Sequence, residues 1–291
     1  MLNQHDISNR YMFSKMKSEW NQRIRDFLSE ATGLKLNKRQ TAARASSEVN
    51  VSVQIVSDNR DFFLNKIISH YPDLDFNEYE SKRLLLKALD NSSTYFENDA
   101  NFLQIRESCS QYLKRYDIND LIKRLFNERT ESGEVWGSYY LNTHRVEIYY
   151  LPLLVLSKIK DISLEHSFVL VLVHELAHAY HHLGKDTDGN HWKWMRNADL
   201  PIIEGLAQYY TQLFVNYYKS SIPEFERTFD QMLKVLPPVY SCHLGWLDYK
   251  KESVATALKL LRINDIESFD EFDRGLSGLN EMFGGHNLFV T

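Results

Sequence analysis

Between Val169 and Tyr180 the chain reads VLVLVHELAHAY, with no proline and a single charged residue, Glu175. Apolar side chains on every face make this a buried helix, which spans about Ser163 to Leu183 with Gly184 as its stop. The helix nevertheless carries His174, Glu175 and His178 in the pattern HELAH. Residues four apart lie on one face, about 6 Å apart along the axis, so both imidazoles can point at one ion. Glu175 stands about 100° round the helix from His174, beside that ion rather than bound to it, where it can act as a base on an activated water. A bound cation offsets the cost of burying the imidazoles, while Val173, Leu176 and Ala177 pack the helix into a core. The bland alternative is two ordinary core histidines and a solvated glutamate. HExxH in so apolar a helix favours a metal site.

A catalytic zinc takes three protein ligands and leaves one position open. Two residues downstream can complete the set. His191 follows in the polar loop KDTDGNHW, and Glu204 follows in IIEGLAQYY. The latter stretch reads as a helix over about 201–218, with Asp199 as its cap and Pro201 in its first turn.

HELAH (174–178) together with EGLAQYY (204–210) resembles the gluzincin metallopeptidases, which pair HExxH with a glutamate from a later helix. The resemblance covers about residues 137–210. It implies that His174, His178 and Glu204 bind one zinc ion, that Glu175 is the general base, and that the substrate is a peptide or protein. The implied fold is α+β, mainly α: a zincin-like core of a small sheet, the HExxH helix and the glutamate-bearing helix. The chain lacks the GxMEN substrate motif of the large aminopeptidases in that group and the extended signature of thermolysin. DGNHWKWM (188–195) is similar to the stretch that carries a third histidine in SprT-like metalloproteases, without its His-Gly pair. Relatives also use a tyrosine or histidine to stabilise the oxyanion. Tyr240 and His243 in PPVYSCHLGW are candidates, as are Tyr209 and Tyr210.

Around this centre the chain falls into two parts. Residues 1–130 read as a mainly helical lobe, with helices near 20–28, 62–68, 78–90, 101–115 and 118–128. A short strand is expected at 49–55, where apolar residues alternate with polar ones. Residues 131–291 read as the zincin-like metallopeptidase domain. It opens with a hairpin over GSYYLNTHRVEIYY (137–150) that Pro152 ends. In zincin-type folds a strand before the metal helix forms the cleft rim, and residues 145–150 are placed for that role; the pattern alone supports a buried sheet strand equally well. Pro237 and Pro238 break the chain before a helical tail.

Composition excludes several classes. With 291 residues, 43% hydrophobic and 25% charged, the chain can bury a sizeable core. A net charge of −5 and no Lys/Arg-rich block give no support to a nucleic-acid partner. The longest apolar run, from Phe168 to Val173, is too short to cross a bilayer, so no membrane partner is expected. The start, MLNQHDISNRYMFSKMK, lacks the apolar core of a signal peptide, and the expected address is cytoplasmic. The two cysteines, Cys109 and Cys242, make neither a disulfide framework nor a thiolate zinc site. A second reading stays open: a non-catalytic zinc-binding regulatory or interaction protein, whose metal has four protein ligands.

Overall fold

A computed structural model of the chain describes residues 2–36, 51–57, 62–92, 100–117, 120–121, 124–125, 136–186, 189–264 and 266–283. It is mainly helical with one small mixed sheet. None of the described helices is long and apolar enough to cross a membrane.

The elements run in this order: α1 (Leu2–Thr32), β1 (Ser52–Val56), α2 (Phe62–His70), α3 (Phe76–Ser92) and α4 (Ala100–Arg115). They are followed by β2 (Gly137–Tyr140), β3 (Arg145–Tyr149), α5 (Tyr150–Lys160), α6 (Leu164–Leu183) and α7 (Leu200–Tyr218). Last come α8 (Glu224–Leu233), a 3-10 segment (Pro238–Trp246), α9 (Lys251–Asn264) and α10 (Phe269–Met282). The expected helix at 118–128 falls largely outside the described residues.

Two compact units result: Met1–Ser57 with Arg129–Thr291, and Asp58–Glu128. The sequence places one boundary near 130. The contacts place a second at Ser57, because α1 packs on α6 instead of joining the helices that follow it. Phe13, Met16, Trp20, Ile24 and Leu28 form a buried stripe at helical spacing along α1. Phe13 meets Phe168 edge-on at 5.4 Å. The Trp20 indole donates to Glu165 at 3.0 Å, and the Tyr180 hydroxyl to the Arg25 carbonyl at 2.7 Å. Nothing in the local sequence announces these partners, which lie about 150 residues downstream. In the smaller unit, α3 and α4 pair, with Lys82 over the Tyr112 ring and the Tyr112 hydroxyl donating to Glu78.

The sheet has the order β1-β3-β2. β3 pairs antiparallel with β2 through a tight turn in which His144 takes a φ of 51°. It also pairs parallel with β1, Val53 facing Val146 and Ile55 facing Ile148. Of the two readings of residues 145–150, the structure matches the buried sheet strand and not the cleft rim. β3 is the central strand, with Val146 and Ile148 fully buried. Among the described residues β2 pairs with β3 alone, so the rim belongs to β2. The parallel partner comes from some ninety residues upstream and leaves no local trace.

Pro152 does lie just past the end of β3, yet no loop follows it. It sits in the first turn of α5, where its missing N–H costs nothing because that position has no intrahelical acceptor. Asp199 occupies the cap position of α7 but makes no side-chain bond to that helix. Its carboxylate instead accepts the backbone N–H of Phe269, the first residue of α10, at 2.8 Å. One residue after Glu204, Gly205 meets Trp246 so closely that an added Cβ would lie 2.7 Å from the indole ring. The 3-10 segment therefore lies flat on α7 and brings Tyr240 toward the start of that helix.

Candidate metal centre

The apolar run builds α6, whose residues from Ser167 to His181 are buried apart from His174, which is nearly so. Its N-terminus is capped by the Ser163 hydroxyl, which accepts the His166 N–H. The two histidines sit one turn apart, rings 4.7 Å between centroids and at 89° to each other. Their Nε2 atoms face one another at 3.1 Å. From α7, Glu204 Oε2 approaches His174 Nε2 at 3.1 Å and His178 Nε2 at 3.5 Å.

These three donors form a group able to hold a metal ion. Their spacing is informative. A tetrahedral ion with bonds of about 2.0–2.1 Å separates its ligand atoms by about 3.3 Å, close to the three distances here. Two imidazoles and a carboxylate are also a set that first-row divalent ions accept. His191 stays outside the group, on the exposed surface of its loop.

Electrostatics agree with the geometry. Burial pushes the Glu204 carboxyl upward, but the two histidines overcome it and hold the group well below its usual range. Burial lowers His174, opposed by its hydrogen bond to Glu204. At His178 burial is the largest single influence, but the Glu204 charge, its hydrogen bond and the Glu175 charge together outweigh it, and the net shift is upward. The Nδ1 of each ring is buried without a protein partner among the described residues. The rings are therefore oriented by packing and by the contacts of their Nε2 atoms, where most metal histidines add an outer hydrogen bond.

Glu175 is only 7% exposed and points toward β2. A Cβ added at Gly137 would fall 2.8 Å from its Cγ and 2.9 Å from Oε1. Glycine is thus required for the edge strand to pass so close to this carboxylate. The strand is also tied to α6 by Tyr139, whose hydroxyl meets His182 Nδ1 at 2.9 Å. The sequence carries no sign of this contact, since GSYY reads as an ordinary strand start.

An open cleft runs over the three donors, bordered by residues 137–141 on one side and Pro237, Val239 and Tyr240 on the other. Tyr240 lies 5.9 Å from His174 between ring centroids and borders the cleft. His243 does not. It is fully buried against Phe229, its Nδ1–H donates to the Tyr240 carbonyl at 2.9 Å, and burial lowers its pKa to about 4. It fixes the segment that carries Tyr240. Tyr209 and Tyr210 are buried away from the cleft, Tyr210 against His181.

No protein-family model, curated protein or solved structure matches the chain. The site's own geometry therefore carries the functional argument. Cys109 and Cys242 are both free, and neither joins the group.

Proposed function

We propose that the chain is a zinc-dependent metallopeptidase of gluzincin type, acting on a peptide or protein substrate. The observation that carries this reading is the near-tetrahedral spacing of His174, His178 and Glu204 beneath an open cleft, with a further carboxylate, Glu175, in the same cleft. A zinc ion held there supplies Lewis acidity and lowers the pKa of a water toward neutrality.

The remaining work belongs to side chains and backbone. Glu175 takes a proton from the attacking water and passes it to the leaving amine. Its near-complete burial keeps competing solvent away from the carboxylate. The Tyr240 hydroxyl is the candidate donor to the developing oxyanion, since it borders the cleft where His243 does not. The outer edge of β2 offers main-chain hydrogen bonds to an extended peptide. That lays the substrate across the metal site beside Glu175.

Zinc content and cleavage test the reading together. The purified protein should retain about one zinc and cut members of a peptide library, with cutting stopped by a chelator and restored by zinc. X-ray absorption should count three protein ligands and one further light atom. Four protein ligands in that shell would favour the non-catalytic reading.

Gly137 provides a finer check. In Gly137→Ala the new methyl group displaces Glu175 while the zinc donors stay in place. Zinc content should be unchanged and kcat should fall about 10- to 100-fold, the scale set by an ångström-sized misplacement. Unaltered kcat would show that the strand does not position the base.

A further inference from the structure

Next to the metal centre lies a second cavity that the chemistry above does not use. It shares Gly137, His174, Glu175 and Tyr240 with the cleft and encloses about 450 Å³, counting its open mouth. Its walls include Leu170, Val171, Phe229, Met232, Leu233 and Leu236. Leu170 and Val171 lie one turn before His174 on α6. On α7, Gln208 and Thr211 follow Glu204 at i+4 and i+7, on the same face. The cavity therefore leads away from the metal ligands, with Gln208 about 6 Å and Thr211 about 10 Å along the helix from Glu204.

Apart from His174 and Glu175 at the metal site, no charged residue lines it among the described residues. A charged side chain passing beyond Glu175 would lose hydration without meeting an opposite charge. One polar group stands out. Gln208 is 5% exposed, lines the cavity, and has an Oε1 that is buried with no hydrogen-bond partner among the described residues. The neighbouring Thr211 hydroxyl already donates to the Ala207 carbonyl at 2.8 Å. An unpaired amide oxygen in an apolar wall is costly unless something else satisfies it.

We propose that this cavity receives a phenol, the side chain of a tyrosine flanking the scissile bond, and that Gln208 is its specificity determinant. The substrate assignment rests on the peptidase reading above; the phenol pocket does not. An aromatic body suits the apolar walls, and a polar tip reaches the amide one helical turn from Glu204. A phenol both donates and accepts, so it pairs with either atom of the amide. Rotation about the last Gln torsion exchanges them at small cost. Phenylalanine fills the same space and leaves the amide unpaired, which predicts about tenfold weaker recognition.

The test uses zinc-loaded full-length protein and two probes, p-cresol and toluene, titrated by ligand-observed NMR. p-Cresol should bind about tenfold more tightly. In Gln208→Leu that ratio should vanish or invert, with zinc content and unfolding midpoint unchanged. Equal binding of the two probes to the unsubstituted protein, or a ratio that survives Gln208→Leu, overturns the role of Gln208. Failure of both probes to bind overturns the pocket. Peptide-library profiling then asks for tyrosine over phenylalanine beside the cut, and a preference for charged residues there rejects the substrate assignment. If the probes behave as expected and no peptide is cut, the pocket stands and the peptidase reading falls.

Discussion

Glu175→Gln should keep its full equivalent of zinc and lose hydrolysis by about 10²- to 10⁴-fold, the range expected when a positioned general base is removed. The change is nearly isosteric, which matters where the side chain is pressed between α6 and Gly137. An amide fits the same space and cannot take the proton. The three proposed donors, His174, His178 and Glu204, are untouched, so metal analysis separates a chemical defect from a structural one. Because Glu175 is 7% exposed, no solvent carboxylate easily substitutes for it. Cleavage at the original rate would remove Glu175 from the mechanism, and with it the main reason for reading the site as catalytic.

Glu204→Ala should weaken zinc binding by more than about 100-fold, since changes to mere outer-shell partners already cost 10- to 100-fold. Among the described residues Glu204 is the one member of the candidate group on α7, and its Oε2 sits 3.1 and 3.5 Å from the two imidazole nitrogens. Removing it leaves two imidazoles as the direct donors and no carboxylate among them to balance a divalent ion. Zinc competition with a fluorescent chelator measures the loss. His191→Ala is the matched control and should bind zinc as the unsubstituted protein does. The reverse outcome, retention in Glu204→Ala and loss in His191→Ala, would transfer the third ligand to the loop. Metal-free stability should respond differently. Taking away Glu204 removes a buried carboxylate but also the charge that holds His178 up, so the two effects oppose.

How much of this was legible beforehand differs from element to element. α6 and α7 announce themselves, one by an unbroken apolar run and the other by Pro201 followed by a long apolar helix. The spacing of His174 and His178 makes their convergence a property of the helix itself. α1 is longer than its strongest apolar residues indicate, because residues 2–9 add helix with little apolar signal. α5 was hidden by Pro152, whose helix-breaking effect depends on its position within the helix. The order of the sheet was hidden by distance, since a parallel partner some ninety residues away leaves no mark beside β3.

The amino-acid order alone determined that two imidazoles share a face with a carboxylate beside them, because a helix imposes its own period on neighbours. It also favoured a buried helix there, since the apolar run from Val169 to Tyr180 is longer than an ordinary buried strand. Which distant residues meet that face was a tertiary decision. Glu204 rather than His191, Tyr240 rather than His243, β2 rather than β3, and the Gln208 cavity all depend on how separate elements pack. Packing is fixed by the summed fit of surfaces from the whole unit, such as Trp246 against Gly205 and α1 against α6, and no short stretch of chain contains that information.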